Sequence, residues 1–366
     1  MTENSDSLER IIRHDGIVHH PLGGGSYVFR HNFVDYLAES LYKDALRLSF
    51  GAQPNSSPHF GTLVVSCLAF ALGEQIKQKK GNIEVFFEAI DTAPSETKII
   101  EGTEYQISLR KSKEADIYLD DYLELFGYLS SQTKIPYVIR RQAEFNAQEN
   151  VPIIVKKIIA QRDEIAQIVD PEGRRLKIRV ACQDCGLADK EGVHNKFDDD
   201  FIESYCPEHG WFRTSVDEDS RKLEYNTPLR NLVRALVYAE DNANSDIPFE
   251  WLRITGSDYA GFYQEQLLYR CSALLGYQAH KLPKIVYAPL IIDWSGAKLS
   301  KSLYVREGAY QYLPPYLVNY HEFKTRLGKG GIEKLFQETS LWLKEPYRLF
   351  RNYSVYYFME MFGYDK

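Results

Sequence analysis

Apolar and polar residues alternate through Leu46-Arg47-Leu48-Ser49-Phe50, and a period of two predicts a half-buried strand. The pattern then breaks into Pro54-Asn55-Ser56-Ser57-Pro58, a loop signature. An almost unbroken apolar run follows from Leu63 to Leu72 and passes into Glu74-Gln75-Ile76-Lys77. It reads as a mostly buried helix with a charged end. Ile83 to Ile90 is the next strand candidate. Strand, loop, helix, strand is the opening of a parallel α/β domain. Upstream, Phe33, Tyr36, Leu37, Leu41 and Tyr42 recur at helical spacing and predict a helix over 31–44.

The pattern stays helical from about Tyr137 to Val169 and then changes character. Residues 170–225 mix Gly, Asp, Cys and aromatics with little periodicity, as expected of a small inserted module. Leu229 to Glu240 is helical again, and Phe249 to Thr255 is a strand entering Gly256-Ser257-Asp258. Gln264 to Leu275 reads as a helix, and Ile285 to Ile292 as a strand interrupted by Pro289. The expected organisation is an N-terminal arm over 1–30 and the first half of an α/β domain over 31–136. An inserted helical and metal-binding module over 137–225, the second half over 226–305 and a helical tail over 306–366 complete it.

Composition narrows the function classes. A chain of 366 residues exceeds what one compact core usually takes. The net charge of -7 argues against a large basic face for nucleic acid. No apolar run reaches the roughly 18 residues of a membrane helix. The polar, acidic start Met1-Thr2-Glu3-Asn4-Ser5-Asp6 lacks signal- and transit-peptide features. Of five cysteines, Cys182, Cys185 and Cys206 fall close together, which suggests a metal site in a reducing, cytoplasmic setting.

Four motifs carry the chemistry. Pro58-His59-Phe60-Gly61-Thr62 joins the first strand to a helix, whose N-terminus presents free N–H groups and a partial positive charge to phosphate oxygens. Gly61 permits close approach, and His59 and Thr62 supply donors; the plain alternative is a capped tight turn. Lys298-Leu299-Ser300-Lys301-Ser302 sets two ammonium groups three residues apart, able to neutralise a leaving pyrophosphate; the alternative is a solvated basic loop. Gly256 and Asp258 end a strand, where an Asp can accept ribose hydroxyls or simply cap a helix. Cys182-x2-Cys185 followed by Cys206-x2-His209 has the spacing of a four-ligand structural Zn²⁺ site, with His194 as a substitute for His209.

The two loops resemble the His-Ile-Gly-His and Lys-Met-Ser-Lys-Ser signatures of class I aminoacyl-tRNA synthetases, with Thr62 in place of the second His. Within that class the order of motifs is most similar to the class I type of lysyl-tRNA synthetase, over about residues 30–305. The resemblance implies a Rossmann-type parallel sheet with a zinc-ribbon-like insertion and a short helical C-terminal tail. It implies an ATP-dependent ligase that, with Mg²⁺, turns an amino acid into an aminoacyl-adenylate. His59 and Gly61 would hold the phosphates with Thr62 and Ser300, and Lys298 and Lys301 would stabilise the transition state. Gly256 and Asp258 would hold the ribose, and the backbone near Leu290 and Ile291 would bracket adenine. Ala52, Asp91 and Tyr263 are the candidate substrate-binding residues, with Glu88 beside them if the substrate is lysine.

Residues 303–366 are too few for the anticodon-binding region of such enzymes, and the acidic charge fits poorly with gripping a whole tRNA. The expected acceptor is therefore either tRNA or a small-molecule nucleophile. Two other readings stay open: a nucleotidyltransferase acting on a small phosphate compound, and an inactive synthetase-like nucleotide-binding protein.

Overall fold

Five parallel strands frame the computed structural model, which describes residues 31–299, 310 and 313–363. The strands are β1 (Ala45–Ala52), β2 (Ile83–Ala89), β3 (Tyr137–Arg141), β4 (Phe249–Gly256) and β5 (Lys284–Ala288). They lie in the order β5-β4-β1-β2-β3, every neighbouring pair parallel. This is the doubly wound order, in which the chain reverses direction across the sheet between β1 and β4. The α/β class with a parallel sheet expected from the pattern is therefore the one found. The arm expected over 1–30 lies outside the described residues.

Helix α1 (Phe33–Glu39) precedes β1, α2 (Phe60–Ile76) joins β1 to β2, and α3 (Ala115–Thr133) lies between β2 and β3. Helix α4 (Thr227–Ala243) leads into β4, with Asn226 capping it by accepting from the Leu229 amide. Helix α5 (Tyr320–Lys344) follows the last strand of the sheet. No described helix is long and apolar enough to cross a membrane.

The two faces of the sheet are built differently. On one, Leu46, Leu48, Phe50, Val85, Phe87, Leu252 and Ile254 join α2, α3 and α5 in a single apolar core. Helix α2 is apolar on all sides because it is buried on all sides. On the other face, Phe86 and Trp251 pack with α4, with helices Asn150–Ala160 and Arg162–Val169, and with Phe262–Cys271. Ser49, Glu88, Arg140 and Arg253 also face this side, linked through Tyr238 of α4.

Several local expectations are corrected. Residues 137–141 form β3 rather than the start of a helix, because Val138 and Arg140 face one side of the sheet and Tyr137 and Ile139 the other. The helix expected over 31–44 stops at Glu39, where the chain turns to enter β1. The segment expected as an ordinary helix near 264–275 is wound as a π-helix over Phe262–Cys271. Pro289 ends β5, and Ile291–Ile292 pairs instead with Tyr353–Ser354.

The weakly periodic stretch contains short antiparallel pairs. Ile178–Val180 pairs with Leu223–Tyr225, and Lys196–Phe197, Phe201–Cys206 and Gly210–Ser215 form a three-stranded ribbon. The hairpin of Pro94–Ile100 and Thr103–Ser108 joins Ala188–Asp189 rather than the main sheet.

Candidate nucleotide pocket and metal centre

A cavity of about 250 Å³ opens where β1 and β4 end, at the reversal point of the sheet. In open α/β sheets this crevice is where ligands bind. Phe50 to Gln53 line it from β1, Ile254 to Gly256 from β4, and Pro289 to Ile291 from the segment after β5. His59, Gly61 and Thr62 enter from the first turn of α2. The cavity thus gathers Ala52, His59, Gly61, Thr62, Gly256, Asp258, Leu290, Ile291 and Lys298 of the residues expected from sequence. Asp91 and Tyr263 do not line it. Ser300 and Lys301 lie outside the described residues.

The loop from 54 to 62 has a structural reason for its sequence. His59 is extended (φ -73°, ψ 162°) and precedes a helix of 17 residues, so the positive end of the helix lies at the cavity. A methyl group on Gly61 would stand 2.7 Å from Cε1 of His59, so the missing side chain lets the imidazole fold over the helix start. The loop is clamped from a distant part of the chain. Tyr320 donates its amide to the Pro58 carbonyl (2.7 Å), Phe60 to that of Val318 (3.3 Å), and the His321 amide to Ser57 Oγ (3.1 Å).

Lys298 is carried by a tight turn. Asp293 Oδ1 accepts from the Ser295 and Ala297 amides at 2.8 and 3.2 Å, and Gly296 adopts φ 84°, which favours glycine. The Leu299 amide donates to the Ile291 carbonyl (2.8 Å), bringing the turn back over the cavity. Lys298 Nζ then lies 2.5 Å from Asp258 Oδ2. The cation expected at the phosphates and the carboxylate expected at the ribose are paired across the mouth.

Behind the mouth Glu88, a candidate of the sequence reading, sits in a charged network whose other members that reading left out. Arg140 grips both oxygens of Glu88 (2.5 and 3.2 Å), Tyr238 donates to Glu88 Oε1 (2.7 Å), and Arg234 stands at 4.0 Å. Burial alone would raise the Glu88 carboxyl, but Arg140, Arg234 and Tyr238 together hold it down at about 2. Asp91 is the opposite case. Burial raises its carboxyl against the pull of Arg110, Arg141 and the Gln142 backbone amide. Arg230, Thr227, Gln53 and Tyr259 line the cavity and were not expected there. An arginine on an amphipathic helix reads as solvent-facing until the fold shows which side is covered.

The Cys182, Cys185, Cys206 and His209 donor atoms lie within 4.8 Å of one another. Sγ of Cys185 and Cys206 are 3.5 Å apart, and Nδ1 of His209 is 3.5 and 3.6 Å from Sγ of Cys182 and Cys206. Tetrahedral zinc with bonds of about 2.3 Å to sulfur and about 2.0 Å to nitrogen spaces its ligands by roughly 3.5–3.8 Å. The donor set fits. His194 instead meets Asp189 Oδ2 at 3.0 Å, so His209 is the histidine of the cluster.

No family model and no curated protein matches the chain. Among solved structures, one described as an arginyl-tRNA synthetase from Campylobacter jejuni aligns at 11% identity and TM-score 0.38, covering 84% of this chain and 68% of that one. A glutamate tRNA ligase from Elizabethkingia meningosepticum, with its amino acid, aligns at 14% identity and TM-score 0.35 over 72% of this chain. The alignment spans 53%, about half, of that ligase. Tyrosyl-tRNA synthetase from Archaeoglobus fulgidus, with L-tyrosine, aligns at 11% identity and TM-score 0.37, covering 91% and 94% of the two chains.

Proposed function

We propose that the protein activates an amino acid with ATP, forming an aminoacyl-adenylate. The observation that carries this reading is the meeting of His59, Gly61, Asp258 and Lys298 around one cavity at the reversal point of the sheet. An oxygen of the amino acid's carboxylate attacks the α-phosphorus of magnesium-bound ATP. The new O–P bond replaces the bond to the bridging oxygen, and pyrophosphate leaves with that oxygen. The attacking carboxylate is already ionised, so no general base is required. Catalysis is then positioning and charge stabilisation.

In this reading the α2 N-terminus, His59 and Thr62 hold phosphate oxygens, and Lys298 with Lys301 neutralises the departing pyrophosphate. Asp258 takes the ribose hydroxyls once Lys298 swings from it to the phosphates. Leu290 and Ile291 bracket the base. The Cys182, Cys185, Cys206 and His209 set would hold a structural zinc ion that ties the ribbon together, and its four protein donors leave no position for substrate.

The test is pyrophosphate exchange with each of the twenty amino acids, with and without tRNA. Exchange stimulated by an amino acid in the absence of tRNA supports activation with a tRNA or small-molecule acceptor downstream. Absence of exchange under every condition would remove the reading.

A further inference from the structure

One end of the cavity is lined by Arg230, in the first turn of α4. Arg230 is 5% exposed. Its Nη2 donates to Thr227 Oγ1 (3.1 Å) and its Nη1 to the Tyr225 carbonyl (3.5 Å). Both acceptors are neutral, and Nε has no protein partner. Among the described residues no carboxylate forms an ion pair with it. Burial, and after it the neighbouring Arg234, lower its pKa, yet a guanidinium stays a cation at neutral pH.

Arg230 is not alone. Arg234, Arg179 and Arg253 are near enough to repel its charge, and all three are buried. Arg234 leaves Nε and Nη1 without partners, and Arg253 leaves Nε. The hydroxyls of Tyr263 and Ser257 are also buried and unpartnered. Glu88, the carboxylate ion-paired to this group, has both oxygens held by Arg140 and touches Arg234 only at 4.0 Å. Arg179 is held by Gln106 Oε1 and the Tyr225 carbonyl, whereas Arg230, Arg234 and Arg253 share a fraction of one carboxylate. A buried cation without a counter-charge is costly, and so are buried donors without acceptors.

We propose that Arg230, backed by Arg234 and Arg253, binds a second anionic group of the acyl substrate, so that the amino acid activated here has a side-chain carboxylate. This rests on reading the pocket as an adenylate-forming site. The reacting carboxylate must stay free to attack phosphorus, so it is not the group held by Arg230. The triphosphate is assigned to the α2 N-terminus and to Lys298, whose side chain is 48% exposed at the mouth. A cationic side chain would meet the guanidiniums and find Glu88 already neutralised. An amide side chain would leave their charge uncompensated.

The experiment is calorimetric titration of the full chain with L-aspartate, L-glutamate, L-2-aminoadipate, L-glutamine, L-lysine and ATP, each alone, beside pyrophosphate exchange with the same amino acids. Wild type is expected to bind one of the three acidic amino acids about a hundredfold tighter than glutamine or lysine. Arg230→Gln is expected to lose that binding while keeping ATP affinity and melting temperature. Equal or tighter binding of glutamine or lysine overturns the proposal, as does binding of none of the acidic amino acids. Loss of ATP affinity in a folded Arg230→Gln variant would move Arg230 to the phosphates and overturn it as well. Acid binding without any exchange would instead sink the activation reading alone. If Arg230→Gln fails to fold, the wild-type preference still decides, and Arg230→Lys supplies the charged control.

Discussion

The donors of Cys182, Cys185, Cys206 and His209 converge on one another, whereas several donors of Arg230, Arg234 and Arg253 meet no acceptor in the protein. The first centre would be complete with a single small ion, its four protein donors leaving no side open to substrate. The second is crowded with like charge and opens on a cavity. A polar cluster that closes on itself spends its chemistry on holding the chain together. One that is left open has its donors to offer to a ligand.

The sharpest way to break the contrast is at the closed centre. Purified protein should hold about one zinc ion per chain. Chelation, or Cys206→Ser, should unfold the ribbon, because apparent zinc binding energies on the order of 10 kcal/mol act as folding energy in small modules. Protease cleavage between residues 182 and 215 would report it. Unchanged protection after complete chelation would make the cluster dispensable.

Next comes the mouth. Lys298→Ala and Lys301→Ala should each cut pyrophosphate exchange by about a hundredfold to a thousandfold, as loss of a transition-state donor typically does. The melting temperature should stay where it is. Near-normal exchange would detach the lysine loop from the chemistry.

Glu88 gives a pH-dependent signature of the charged face. Its folded-state pKa, about 2, lies below the ordinary carboxylate value of 4.5. The ionised form therefore stabilises the fold fully above that ordinary value. The contribution, on the order of 3 kcal/mol, fades as pH falls from about 4.5 to about 2. Glu88→Gln should destabilise at neutral pH and flatten the acid limb of the stability curve over that window. An unchanged acid limb in urea melts would argue that the network carries no net stability.

The smallest effect belongs to Asp258→Asn. The pair with Lys298 is largely exposed, so its loss should move stability by less than about 1 kcal/mol. The KM for ATP should rise severalfold if Asp258 holds the ribose. An unaltered KM would leave it as a simple partner of Lys298.

Much of this was legible in the residues. Alternation from Leu46 to Phe50 and the apolar run after Leu63 announced β1 and α2, because the one keeps a period of two and the other is a long, almost unbroken apolar stretch. The zinc spacing was visible because metal ligation demands fixed residue types at short separations. The strand order was not visible, since parallel neighbours pair across intervening helices. Tyr137–Arg141 was hidden because a five-residue strand merges with the apolar positions of the helices after it. Arg230 was hidden for a different reason: nothing in Asn226-Thr227-Pro228-Leu229-Arg230 tells which side of the helix will be buried. Charges sunk behind a pocket are found by the fold, not by the pattern.

The clamp on the loop over 54–62 has a consequence in time. Ser57 Oγ waits for an amide 264 residues further along the chain. A ribosome making this protein releases the strand, the loop and α2 early, but the segment near Val318 to His321 emerges much later. Contacts at such separations close slowly. The nascent chain should therefore leave this loop unfixed until that late segment is free.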